Sequence, residues 1–180
     1  MTRYSAKKLI YAHLLLLALS TCNSATLPAQ KPACMNPAFD QKVINTIRFS
    51  VPVISVDELN DKKQKLRIFD ARERAEYDVS HIPGAVFVGY QQFNQKIFDA
   101  LPKDTPIVLY CSIGYRSEKI GEKLLKQGFT KVYNLYGSIF EWVNKGYPVV
   151  NPQGTTIAKV HTYNKDWSRW VDAKKIEKIW

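Results

Sequence analysis

The amino-acid sequence predicts an α/β fold: a single domain with a mostly parallel central sheet flanked by helices on both faces. Short apolar runs, dense enough for strands buried on two sides, recur along the chain, and each is followed by a stretch with helical spacing. Alternation of this kind is what parallel pairing needs, because each return to the sheet requires a crossover. A third observation locates function. The run Pro106-Ile107-Val108-Leu109-Tyr110 ends on Cys111, and ligands on parallel sheets bind beyond the carboxyl ends of the strands.

In chain order, Val51-Pro52-Val53-Ile54 opens the sheet, and Ser55-Val56-Asp57-Glu58-Leu59 starts a helix with a serine cap and an acidic first turn. Further strands are expected at 66–70, 85–88, 107–110 and 131–135. Helices are expected around 74–77 and over 90–101, 117–127 and 138–145. At 180 residues the chain suits one ordinary domain with tails. The sequence carries no internal repeat, and its three histidines stand too far apart in the chain to define a metal site.

The stretch Cys111-Ser112-Ile113-Gly114-Tyr115-Arg116-Ser117 carries the chemistry. A strand fixes the cysteine, Gly114 serves a tight turn that needs positive φ, and Ser117 is placed to cap the helix marked by Ile120, Leu124 and Leu125. Amides of such a loop, with the positive end of the helix, point at the sulfur and at any oxyanion attached to it. A thiol in that field ionises below its ordinary pKa of about 8.5. Cys111 is therefore the expected nucleophile, and Ser112, Ile113, Gly114, Tyr115, Arg116 and Ser117 the expected substrate cradle. A cysteine at a strand end is otherwise a small buried hydrophobe, which explains the cysteine but not the glycine, arginine and serine that follow it.

Two more segments agree. Ile68-Phe69-Asp70-Ala71-Arg72 leads to Glu76-Tyr77 and His81-Ile82-Pro83-Gly84-Ala85, and the chain continues through Leu135-Tyr136-Gly137-Ser138-Ile139-Phe140-Glu141-Trp142 to Gly146-Tyr147-Pro148. With the cysteine loop, these blocks resemble the rhodanese (sulfurtransferase) family over about residues 50 to 150. The resemblance implies a sulfur transferred through a persulfide on Cys111, a small anionic donor such as thiosulfate, a thiol or cyanide-like acceptor, and no cofactor or metal. It assigns His81 to the fold rather than to the chemistry, and Asp70 and Arg72 read as structural neighbours of the site. The cysteine–arginine cradle of phosphatases resembles this loop with one more residue between the two, and the shorter loop here favours a terminal sulfur over a phosphate. Many family members carry a basic residue directly after the cysteine; here it is Ser112. Two other classes stay open: a module that reads sulfur or redox state on Cys111 without turnover, and a protein-interaction module on the same scaffold.

The ends read as additions: 1–24 as a signal peptide, 25–45 as a linker, 46–150 as the domain and 151–180 as an aromatic, basic extension. Arg3, Lys7 and Lys8 precede an apolar stretch over 9–19 and the small polar run Ser20-Thr21-Cys22-Asn23-Ser24-Ala25, the pattern of an export signal. Leu19-Ser20-Thr21-Cys22 also resembles a lipobox, which makes Cys22 a candidate for lipidation, with ordinary cleavage near Ser24 as the competitor. The expected location is extracytoplasmic, in the periplasm or at a membrane through a lipid. Cys34 is either an incidental thiol in a flexible arm or a redox partner of Cys111. The formal net charge is +10, but Lys and Arg are interspersed with acids, which argues for solubility rather than nucleic-acid binding. In the extension, Trp167 and Trp170 stand at helical spacing and are expected to pack it onto the domain.

Overall fold

The computed structural model describes residues 32–180. Residues 1–24, read as an export signal, and Cys22 within them lie outside the described residues. Among those described, no helix is long and apolar enough to cross a membrane.

Five parallel strands, β1 (Val53–Ile54), β2 (Arg67–Asp70), β3 (Val86–Phe87), β4 (Ile107–Tyr110) and β5 (Val132–Leu135), form a sheet in the order β1-β5-β4-β2-β3. Because every pair is parallel, all the carboxyl ends meet at one edge, and the middle strand β4 delivers Cys111 there. The sheet carries a core on each face. Ile68, Val108 and Tyr110 point into one, with Val56, Leu59, Ile139 and Phe140. Phe69, Ile107 and Leu109 point into the other, with Ile120 and Leu124. The period-two alternation of β2 and β4 thus splits their side chains between two layers.

The helices are α1 (Pro37–Ile44), α2 (Val56–Lys62), α3 (Arg74–Val79), α4 (Tyr115–Lys126) and α5 (Ser138–Asn144). Ser55 caps α2 through a bond from the Glu58 amide at 3.0 Å, as the sequence predicts. The supposed linker does not hold over residues 37–44. Asn36 Oδ1 accepts the amides of Ala38 and Phe39 at 2.9 and 3.2 Å, Pro37 takes the first helical position, and Phe39 and Val43 are fully buried. The proline that suggested a linker starts a helix, where its missing N–H costs nothing.

One expected helix is absent. Over 90–101 there is only a 3₁₀ turn at Gln95–Phe98; the Asn94 amide bonds the Val88 carbonyl instead of a helical partner, and Phe98 stacks on Phe69 at 4.6 Å. In the extension, Trp167–Trp170 is likewise a single 3₁₀ turn. The rest of the extension adds β7 (Thr156–Ile157), antiparallel to β6 (Val149–Val150), and a parallel pair of β8 (Lys159–His161) and β9 (Glu177–Ile179). Trp170 packs on Phe39 with ring centroids 5.8 Å apart, and Asn144 of α5 bonds the Trp170 carbonyl and the Asp172 amide at 2.8 and 2.9 Å. The extension and α1 therefore lie against one another on the domain.

Candidate active site

Cys111 leaves β4 at the sheet edge, almost covered at 2 % exposure. Its amide donates to Ser138 Oγ at 3.2 Å, and its Sγ accepts the Gly114 amide at 3.1 Å. Gly114 has φ +118° and stands just before α4, so the turn that aims this amide uses the positive φ expected of it. Ser117 is not the cap; it lies within the first turn, its Oγ 2.7 Å from Asn134 Oδ1 and 3.2 Å from the Gly114 carbonyl oxygen. Helix α4 begins two residues earlier than predicted because the glycine, rather than a side chain, makes the turn into it. Asn134 Nδ2 donates to the same Gly114 carbonyl at 2.9 Å. A buried asparagine on β5 thus clamps the loop from behind.

Burial by itself pushes the Cys111 thiol up, but the Arg116 charge, the Ser117 amide and hydroxyl and the Gly114 amide together outweigh it, and the pKa is lowered. Arg116 is held in place. Its Nη1 and Nη2 meet the two oxygens of Glu76 at 2.6 and 2.8 Å, and Nη2 also donates to Ser112 Oγ at 2.9 Å. Ser112 Oγ in turn donates to Glu76 Oε1 at 3.2 Å. Glu76 is buried, which alone raises its pKa, yet Arg116 brings it below the usual carboxylate range. These contacts assign Arg116 to orienting the loop and biasing the thiol.

Asp70 and Arg72 form a second, fully buried pair beside it. Arg72 donates to both Asp70 oxygens, at 2.7 Å at the closest, and to the Ser80 carbonyl at 2.6 Å, while the Tyr110 hydroxyl donates to Asp70 at 2.6 Å. His81 stacks on Tyr77 with centroids 3.9 Å apart, and its backbone bridges to Val150. None of these side chains bonds the sulfur; they fix the turns around it.

Cys34 is not in a flexible arm: its amide donates to Asp40 at 2.7 Å and it is 8 % exposed, with Glu141 beside it. Burial, then the charges of Glu141 and Asp40, hold its thiol far above the ordinary range, which favours the protonated form. Cys34 and Cys111 are both free thiols. Cys34 Sγ is seated against Gly137.

A cavity of about 330 Å³ opens above the sulfur. The loop supplies Cys111, Ser112, Ile113, Tyr115 and Arg116, and Tyr163 and Trp167 come from the extension. Sequence reasoning assigned the whole loop, of which Gly114 and Ser117 act from beneath. It missed Glu76 as the partner of Arg116, Asn134 as the clamp, and the two extension aromatics as cavity wall. Glu76 had a signal, since it belongs to a block that was singled out; Asn134 had one as the polar residue in an otherwise apolar strand. Among the described residues, no cluster of His, Cys, Asp or Glu is placed to hold a metal ion.

A parallel sheet that presents a cysteine in a glycine–arginine loop defines a class of thiol-based transferase scaffolds. The chain belongs to the rhodanese-like domain family, which matches residues 55–145. A sulfurtransferase of Allochromatium vinosum is 34 % identical over 87 residues, covering 48 % of this chain and 80 % of that one. The thiosulfate sulfurtransferase GlpE of Coxiella burnetii is 31 % identical over 81 residues, covering 45 % and 75 %. YrkF of Bacillus subtilis is 33 % identical over 99 residues, and the chain spans about half of its length, 53 %. Among solved structures, a rhodanese-related protein of Thermoplasma volcanium matches with a TM-score of 0.50 at 25 % identity, covering 55 % of this chain and 97 % of that one. The resemblance read from the motif blocks is therefore shown, as are the fold class and the parallel sheet.

Proposed function

We propose that this protein is a sulfurtransferase that carries a sulfane sulfur as a persulfide on Cys111. The observation that carries this reading is the Cys111 sulfur seated on the Gly114 amide with its pKa lowered by Arg116 and the loop donors, although buried. In the first half-reaction the thiolate attacks the outer sulfur of a donor such as thiosulfate. The sulfur–sulfur bond of the donor breaks, sulfite leaves with the electron pair, and Cys111 holds the outer sulfur. In the second, a thiol or cyanide takes that sulfur and Cys111 leaves as thiolate. The loop donors that stabilise the thiolate serve the terminal persulfide in the same way. We further propose that the chain is exported, on the pattern of residues 1–24, with Cys22 the point of attachment if a lipid is added.

One experiment tests both statements. Protein expressed in a bacterial host with its own amino terminus is treated with thiosulfate and its intact mass measured. The parent is expected to gain one sulfur atom and to begin at or after Cys22; Cys111→Ser is expected to fold, gain no sulfur and transfer none. Turnover by Cys111→Ser at the parent level overturns the mechanism, and a cytoplasmic protein that keeps Met1 or Thr2 overturns export. Loading without repeated turnover on any acceptor replaces the transferase reading with that of a sulfur-sensing module.

A further inference from the structure

The cavity over Cys111 is built partly from residues outside the family match. Thr46, Tyr163 and Trp167 line it, and none falls within 55–145. Local bonds within the extension shape the segment that carries these two rings. The Tyr163 amide donates to His161 Nδ1 at 3.0 Å, and the Trp167 amide to Asn164 Oδ1 at 3.0 Å. Tyr163 adopts φ +68°, in the left-handed region that a bulky residue avoids. Strain of that kind persists only where the surroundings impose it, and it clusters at functional sites.

The charge of the cavity points to its occupant. Among the described residues, its one lining cation is Arg116, already paired with Glu76 and Ser112. The ring of Tyr163 lies over that guanidinium, 5.4 Å from its carbon to the ring centroid. The other charge in the lining is Glu73, which repels anions. Beside Cys111, Thr46, Gln91, Ser112 and Ile113, the rest of the lining is aromatic: Tyr90, Tyr115, Tyr163 and Trp167. At about 330 Å³ the space is at the small end of the range for small-molecule pockets, about 300–1,000 Å³. Walls rich in rings, with their one cation already paired, suit an acceptor that is uncharged and has an apolar body.

We propose that the extension makes Cys111 selective for a small aromatic thiol as the sulfur acceptor, bound against Trp167 and Tyr163. This inference rests on the sulfur transfer proposed above. The acceptor R–SH binds neutral, passes its proton to the outer sulfur of Cys111–S–S⁻, and attacks that sulfur as thiolate. The new R–S–S bond forms as the bond to Sγ breaks, the electron pair stays on Sγ as thiolate, and the thiol proton ends on the outer sulfur of R–S–SH. No outside oxidant or reductant is needed, since one sulfane sulfur changes partners.

The test uses the full chain loaded with one sulfur by thiosulfate or, where that fails, by inorganic polysulfide, with loading checked by mass. Discharge is then followed with benzyl mercaptan and with 2-mercaptoethanol, thiols of similar acidity. The parent is expected to prefer benzyl mercaptan in kcat/KM. Trp167→Ala is expected to cut that preference about tenfold through KM, the scale of a lost ring contact. Tyr163→Gly, which keeps the positive φ, is read beside it in case the tryptophan variant fails to fold. A parent without preference, or a preference that survives both substitutions, overturns the proposal while leaving sulfur transfer intact. Failure to load any sulfur by either reagent overturns the transfer itself, and this inference with it.

Discussion

Around Cys111, each side chain acts on another before it acts on substrate. Arg116 lowers the thiol pKa, and Glu76 holds Arg116 in the position from which it does so, with side chains only 13 % and 4 % exposed. Arg116→Gln should therefore move the Cys111 titration to higher pH, because the thiolate loses its nearest cation. The rate of alkylation by iodoacetamide, measured against pH, checks this: a smaller reactive fraction at neutral pH is expected, and an unchanged midpoint would remove Arg116 from the electrostatics of the thiol. The same variant strands Glu76 as a buried, unpaired carboxylate, which typically costs about 3–5 kcal/mol. Urea unfolding reads that cost separately. At this scale the reactive atom and the arginine were legible, because both stand in one short loop. The partner of the arginine was not, since Glu76 lies forty residues away and no local pattern links them.

Among the elements, α4 decides most. Its first residue follows Gly114, whose φ of +118° sets the amide under the sulfur. A Cβ there would meet Ile47 Cγ2 at 3.1 Å, and a non-glycine residue in that region costs about 1–3 kcal/mol. Gly114→Ala should lose sulfur loading by far more than its stability loss accounts for. Gly128, past the end of the same helix, has φ +89° with open space around it, so Gly128→Ala should cost comparable stability and leave loading near the parent rate. Equal loss of loading in the two variants would mean that the effect comes from general destabilisation. Helix α4 was legible from its apolar spacing, whereas α1 was not. Asn36, Pro37 and Ala38 at its start read locally as linker, and only the burial of Phe39 against Phe140 and Trp170 makes the segment a helix of the domain.

The molecule as a whole should lose stability on mild acidification. Burial lowers the pKa of both His81 and His161, so each takes up its proton more readily in the unfolded chain, where the ordinary value is about 6.5. The unfolded state then binds more protons as pH falls, and the linkage relation makes stability rise with pH through that window. The full contribution is present above about 6.5 and declines below it. Urea midpoints at pH 7.5 and about 5.5 should show the decline, and His81→Gln together with His161→Gln should flatten it. A second loss follows at lower pH, as Glu76 is protonated below its depressed pKa and its pair with Arg116 fails. Coincident midpoints at the two pH values would contradict the burial of both histidines.

By itself the sequence determined the alternation of strands and helices, the position of Cys111 at the carboxyl end of a strand, its loop and the family. These are written in residues close together in the chain, as apolar period, turn chemistry and motif order, so they need no knowledge of what lies opposite. Only the tertiary structure decided that Glu76 holds Arg116, that Asn134 clamps the loop, that Cys34 is sealed beside Glu141, and that Tyr163 and Trp167 wall the cavity. Each of these is a contact between segments far apart in sequence, and its energy depends on a geometry that exists only once both cores are packed. Composition names the groups available for such contacts; the parallel sheet brings them to one edge.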